Sequence, residues 1–180
     1  DRGGGPQGRV TNSGTIWLIA DTHFGKQPRG RLKATGMTSP ELDAVIRENW
    51  MRMVGPDDIV WHLGDVGDVS HLEGLPGEKH LVVGNDGGER EARRSTHFVT
   101  AVNRQSMIWD GADVELTHKP TDARSAGYVL HGHLHAEEHP DPRYTCVSVD
   151  LCDFGPIRST EALGRIRKRS EQLDVDVNVN

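Results

Sequence analysis

The sequence predicts a single α/β domain, and three observations carry that expectation. Apolar runs of strand length recur along the chain, and several stop abruptly at a polar residue. Segments with helical apolar spacing and recognisable cap residues lie among them. The length, 180 residues, suits one hydrophobic core rather than two.

Composition narrows the class. Hydrophobic residues make up 34% without glycine, and the 21 glycines bring the apolar share to roughly 45%, low but ordinary for a globular protein. Collagen-like and wholly disordered chains are thereby excluded. The net charge of −6 argues against a basic nucleic-acid coat protein, although a local basic patch is compatible with it. No apolar run approaches the roughly 18 residues of a membrane span, so no membrane partner is expected. The chain opens on a Gly-rich polar stretch rather than a signal peptide. Cys146 and Cys152 are too few for a disulfide framework, which makes a reduced, cytoplasmic setting the expectation. Nothing indicates a protein partner. The ten histidines, in company with Asp, Asn and Gly, carry the most information.

In order along the chain, residues 1–14 form a flexible tail with little to bury, followed by one domain over 15–173 and a loose end over 174–180. Thr15–Ala20 is a continuous apolar run, as expected of a strand covered on both faces. Pro40–Met53 is a helix with Ser39 as N-cap and Pro40 at the first helical position. Its Leu42, Val45, Ile46, Trp50 and Met53 share a face, and Gly55-Pro56 ends it. Strands follow at 58–63, 79–83, 97–101, 106–109, 113–117, 128–130 and 144–150. Glu89–Arg94 is a short charged helix. Ser159–Ser170 closes the domain as a helix with its basic residues towards the favourable C-terminal end. Trp17, Trp50, Trp61 and Trp109 fall at core positions of these elements.

The polar residues just past the strands form a pattern: Asp21-Thr22-His23, Gly64-Asp65, Gly84-Asn85, His118 and Gly132-His133-Leu134-His135. Alternate residues of an extended chain point the same way, so Asp21 and His23 can share a target, as can His133 and His135. A glycine beside a ligand lets the backbone turn sharply or approach closely. Loops beyond strand ends are where α/β proteins build their sites.

This ordered set resembles the calcineurin-like metallophosphoesterase family, whose pattern runs D-x-H, G-D, G-N-H-[DE], a lone H, then G-H-x-H. The resemblance spans roughly residues 15–165 and extends to flanking text such as ADTHFG, WHLGD and LHGHLH. It implies a two-sheet β-sandwich flanked by helices. It also implies two divalent cations, Mn²⁺ foremost with Fe or Zn²⁺ as alternatives, better suited to these mixed donors than Ca²⁺. Carried over by position, Asp21, His23 and His135 would hold the first cation. Asn85, His118 and His133 would hold the second, with Asp65 bridging. The implied activity is hydrolysis of a phosphate ester by a metal-bridging hydroxide, since two cations about 3.5–4 Å apart lower the pKa of a shared water. The alternative is a metal-binding scaffold or regulatory domain of the same fold that has no turnover.

One departure bears on substrate. The third block reads Gly84-Asn85-Asp86-Gly87, with Asp86 where the family has a histidine that binds phosphate and protonates the leaving group. An ionised Asp86 does neither, and it serves as an acid only if burial or nearby negative charge raises its pKa. That favours phosphodiesters with good leaving groups, nucleotides or nucleic acid among them, slightly over monoesters. Asn85, Lys26, Arg29 and Lys119 are the substrate-binding candidates, with Lys26 and Arg29 in a basic loop over 24–38 that follows two ligands. His131 and His62 are expected to be structural. His71, His80, His97 and His139 are expected at the surface or in packing.

Overall fold

In a computed structural model, which describes residues 14–28 and 30–178, two mixed β-sheets stack with helices on the outside. The tail expected over 1–14 lies outside the described residues apart from Gly14. The first sheet has the order β4-β3-β2-β1-β9. Its strands are β1 (Ile16–Ile19), β2 (Ile59–His62), β3 (Glu78–Val82), β4 (Thr100–Val102) and β9 (Ile157–Arg158). The second runs β5 (Arg104–Trp109), β6 (Ala112–Thr117), β7 (Tyr128–His131), β8 (Tyr144–Cys146). Strands β1 to β4 are mutually parallel, and so are β6 to β8; β9 and β5 run antiparallel to their neighbours.

Alternation along β1 explains why its sequence is apolar throughout. Trp17 and Ile19 face one core, and Leu18 and Ala20 face the other. The first core lies under α2 (Ser39–Met53), where Leu42, Ile46 and Trp50 pack against Val60, Leu81 and Phe98. The second lies between the sheets, where Leu18, Leu63 and Val82 meet Val114, Leu116 and Leu130. Ala162, Leu163 and Ile166 of α4 (Ser159–Asn178) join that second core. Trp17, Trp50 and Trp61 are buried and Trp109 packs against the second core, as expected.

The structure corrects several local expectations. The 24–38 segment carries a short helix, α1 (Gly30–Ala34), because Leu32 enters the first core. The N-cap of α2 is Thr38 rather than Ser39; the Glu41 carboxylate accepts from the Thr38 backbone N–H at 2.8 Å and from its hydroxyl at 2.8 Å. Strand β4 begins at Thr100, not 97, since Phe98 turns into the core. The β8 ladder ends at Cys146, and the continuation over 147–150 crosses to β1 through a parallel bridge of Ala20 and Ser148. Strand β9 is too short to leave a period. Helix α4 runs to Asn178 where an end at 170 and a loose terminus were expected; no Gly or Pro interrupts the sequence after Gly164. The short charged helix α3 (Glu89–Arg94) has the predicted bounds. Among the described residues no helix is long and apolar enough to cross a membrane.

Candidate metal centre

The parallel strands bring their C-terminal ends to one edge, and there the loops zip together. Asp21 N–H donates to the Gly64 carbonyl at 3.0 Å, His23 N–H to that of Asp65 at 3.0 Å and Phe24 N–H to that of Val66 at 2.9 Å. The second sheet is stitched to the first at the same edge. His118 Nδ1 donates to the Leu63 carbonyl at 2.7 Å, and the His133 backbone N–H donates to Asp21 Oδ2 at 2.9 Å. Asp21, His23, Asp65 and His118 are buried by this arrangement, while His133 and His135 stay half-buried at the rim.

The backbone is bent to aim these side chains. Asp21, His23, Asp65, His133 and His135 have φ of 58°, 44°, 56°, 71° and 53°, a region that non-glycine residues enter uncommonly and at a cost. Glycines supply the necessary closeness. A Cβ on Gly64 (φ +98°) would lie 2.5 Å from His118 Nδ1, and one on Gly84 would collide with Asp65 Oδ1.

Two donor triads result. The donor atoms of Asp21, His23 and His135 lie within 4.8 Å of one another, and so do those of Asp65, His118 and His133. Asn85 joins the second triad, its Oδ1 2.7 Å from His118 Nε2. Asp65 stands between them: Oδ2 is 3.7 Å from His23 Nε2 and 3.4 Å from His118 Nε2, and Oδ1 accepts from the backbone N–H of Asn85 at 2.8 Å and of Asp86 at 3.1 Å. Carboxylate, amide-oxygen and imidazole donors packed this closely fit divalent cations, because a cation relieves the crowding of lone pairs.

The electrostatics agree with that fit. Burial pushes the Asp21 carboxyl up to about 6, against the pull of His118 and His135. Burial acts the same way on Asp65, but the His118 hydrogen bond and charge and the Asn85 amide hold it well below the usual carboxylate range. Burial opposes charge on His118, and Asp65 outweighs it, so the net shift is upward. The hydrogen bond that His135 donates to the Asp150 carboxylate raises His135. Burial lowers His133, with the charges of His118 and Lys119 adding to it.

Sequence reasoning missed the supporting roles of Asp150, Asp43 and Thr22, and His62 takes the structural place expected of it. Asp150 Oδ1 lies 3.3 Å from His135 Nδ1 and accepts from the Ser148 hydroxyl at 3.1 Å, which orients the ring. Asp150 ends an apolar run just as Asp21 does, and that signal was available. Asp43, buried on α2, accepts from the Gly25 N–H at 2.9 Å and anchors the loop behind His23. Thr22 and His62 form a directional chain: Gly64 N–H donates to His62 Nδ1 at 3.2 Å, His62 Nε2–H donates to Thr22 Oγ1 at 3.0 Å, and the Thr22 hydroxyl donates to the Val66 carbonyl at 2.9 Å.

The remaining candidates are placed as follows. Lys26 Nζ donates to the Asp86 carbonyl at 2.7 Å and to Asp86 Oδ2 at 2.9 Å. Asp86 Oδ2 is also 2.7 Å from His23 Nδ1. A carboxylate oxygen facing an ammonium group suits an acceptor rather than a proton donor. Lys119 is half-buried beside the second triad, and Arg29 lies outside the described residues. His131 is buried with its Nδ1 2.7 Å from the Gly132 carbonyl, the structural place expected of it. His71 stacks on Phe24, His80 on Trp61 and His139 on Tyr144, and His97 lies 3.8 Å from Glu73.

Two facing mixed sheets with the five motif blocks at adjoining strand ends give the chain the calcineurin-like fold, with His and Asp clusters that could hold metal. More narrowly, the chain belongs to the family of the Gene 66 protein of Mycobacterium phage L5, with which it is 32% identical over 202 aligned positions, 88% of this chain and 92% of that protein. An uncharacterised protein of Methanocaldococcus jannaschii is 26% identical over 79% of this chain and 85% of its own length. A protein of unknown function from Aquifex aeolicus shares the fold, with a TM-score of 0.67 at 21% identity over 82% of this chain and 97% of that one. No protein-family model matches the chain.

The buried carboxyl of Asp21 generates one prediction. With its pKa near 6 instead of about 3.8, ionisation at pH 7 costs the metal-free protein about 3 kcal/mol. Asp21→Asn keeps an acceptor for the His133 N–H and removes that cost. It is expected to raise the melting temperature of the metal-free protein by several degrees and to reduce the further rise on adding Mn²⁺, both read by calorimetry.

His62 generates a second. Burial pushes it down to about 3, so below pH 6.5 the unfolded chain binds a proton that the folded chain does not. Stability from this group is complete above pH 6.5 and declines as pH falls. Relative to His62→Gln, the wild type should lose about 2 kcal/mol between pH 7 and pH 5, as measured by urea unfolding of both proteins.

Proposed function

We propose that this protein is a binuclear metal-dependent phosphoesterase that hydrolyses phosphate esters, with phosphodiesters slightly preferred over monoesters. The observation that carries the reading is Asp65, whose Oδ2 faces one histidine from each donor triad and so occupies the position of a bridge. In this reading Asp21, His23 and His135 hold one cation, Asn85, His118 and His133 hold the other, and Mn²⁺ is the expected metal. Two such cations, when bound, lower the pKa of water and draw charge from the phosphoryl oxygens.

The protein's own residues supply position and charge. Asp150 and the Leu63 carbonyl each engage the Nδ1 of a ligand histidine and fix its ring. Lys26 and Lys119 bring positive charge to either side of the centre, suited to phosphate oxygens. Asp86 is turned to Lys26 and His23 and does not serve as an acid, which favours leaving groups that depart without a proton.

A groove of about 680 Å³ is lined by Gly87, Arg90, Glu91, Arg94 and His97. Its two arginines, which outnumber the one acid, suit a substrate with phosphate beyond the scissile group, and nucleotides or nucleic acid are the class we favour. The two buried free cysteines are in keeping with a cytoplasmic setting.

Two measurements test this. After chelation and reloading with Mn²⁺, the protein should hydrolyse bis-(p-nitrophenyl) phosphate faster than p-nitrophenyl phosphate, and Asp65→Asn should lower kcat at least about 100-fold. Failure of the wild type to turn over either ester or a short oligonucleotide would overturn the reading. In a separate comparison, Arg90→Glu combined with Arg94→Glu should raise KM for a short oligonucleotide about tenfold and leave KM for the small diester unchanged.

A further inference from the structure

We infer that Asp86 is the positioning residue of His23: its carboxylate accepts the Nδ1 proton and keeps the Nε2 lone pair aimed at the centre. The inference rests on the binuclear reading above and deepens it, giving a role to the residue that stands where the family pattern has a histidine. Asp86 Oδ2 lies 2.7 Å from His23 Nδ1, across the ring from Nε2, which is 3.7 Å from Asp65 Oδ2. Two other ligand histidines are backed in the same way. His118 Nδ1 is 2.7 Å from the Leu63 carbonyl, and His135 Nδ1 is 3.3 Å from Asp150 Oδ1. An acceptor at Nδ1 selects the tautomer with its proton there and leaves Nε2 bare as the donor.

His23 has a particular need of such a partner. Its ring stacks on that of His135, with centroids 5.2 Å apart and planes 12° from parallel. Stacking sets the plane of the ring but not which edge faces inwards, because a half-turn about the Cβ–Cγ bond keeps the plane and exchanges nitrogens for carbons. An acceptor beside Nδ1 tells the two edges apart. Asp86 is itself held on both sides. Its backbone N–H donates to Asp65 Oδ1 at 3.1 Å, which ties residue 86 to the central carboxylate. The Lys26 N–H donates to the His23 carbonyl at 3.0 Å, a turn that brings the lysine back beside its own histidine. Lys26 Nζ then donates to the Asp86 carbonyl at 2.7 Å and to Asp86 Oδ2 at 2.9 Å. One ammonium on two oxygens of the same residue limits rotation of the carboxylate, and the oxygen it grips is the one beside Nδ1. An ionised carboxylate offers acceptors only, so it serves the ammonium and the ring together.

The test reads the His23 ring by nitrogen-15 NMR of the metal-free, histidine-labelled protein, with the His23 signals assigned by their loss in His23→Asn. Mn²⁺ affinity is measured alongside by calorimetry. The wild type should hold His23 as the Nδ1–H tautomer. Asp86→Ala should mix the tautomers and weaken one Mn²⁺ site at least about tenfold, with the other unchanged. Asp86→Asn should keep the tautomer and the affinity near wild type, because its amide oxygen can take the place of Oδ2 towards both donors. Thermal unfolding of the metal-free variants checks that they fold. An Nε2–H tautomer in the wild type would overturn the inference and leave the phosphoesterase reading standing, and so would a wild-type tautomer or wild-type affinity in Asp86→Ala. Asp86→Asn matching Asp86→Ala would also overturn it, since the charge of Asp86 rather than its hold on the ring would then set the affinity. Absence of Mn²⁺ binding to the wild type would overturn the binuclear reading and the inference with it.

Discussion

The structure depends on carrying the Asp21 carboxylate out of water at the end of a central strand. Strand β1 has cores on both faces, so the residue that follows it has nowhere exposed to go. A carboxylate so placed is costly unless it is paired. The protein's answer is local: the His133 N–H reaches across from the second sheet, and His118 and His135 lie close enough for their charge to be felt. These contacts offset only part of the cost, as the upward shift of Asp21 shows. The remaining imbalance is what a cation would remove, so the site stores a drive for metal binding in the metal-free fold.

That constraint propagates through the backbone. Ligands on neighbouring parallel strands converge only if each chain turns sharply right after its ladder ends, and Asp21, His23, Asp65, His133 and His135 enter the left-handed region to do so. Such conformations persist where the surroundings over-determine them. Here the zipped loops after β1 and β2 and the Thr22–His62 chain over-determine them. His62 is therefore structural in a specific sense: it accepts from one ligand-bearing loop and donates to the other, without facing the donor triads itself.

Much of this was legible in the sequence, and the legible part shares a cause. A strand buried on both faces writes itself as a continuous apolar run, and a ligand at its end interrupts that run. Asp21, Asp65 and His118 are visible for that reason. What was not legible depends on contacts that no local pattern encodes. Leu32 is one apolar residue in a basic loop, so α1 has no periodicity to detect. Strand β9 is two residues long and exists because β1 offers it an edge. Asp43 repeats the spacing of Ile46 and Trp50 on α2, where an acid among apolar positions marks a buried polar anchor. The capping position of α2 moved by one residue because Glu41 reaches back to Thr38 more readily than to Ser39.

Asp86 shows where position in a motif and environment in a fold part company. By motif it stands in for an acid that would serve the leaving group. By environment it is a carboxylate gripped by Lys26, 60 residues away in sequence, and pressed against a ligand histidine. Replacing an imidazole by a carboxylate removes a potential cation and adds an anion, so the local charge falls by as much as two units, and Lys26 returns one of them. On the proposed phosphoesterase reading, a small phosphate monoester meets more negative charge at the floor of the site. On the same reading, a diester with a good leaving group needs no acid at residue 86. The substitution, so read, turns residue 86 away from proton transfer at the leaving group, and a carboxylate bonded to Lys26 and His23 takes its place.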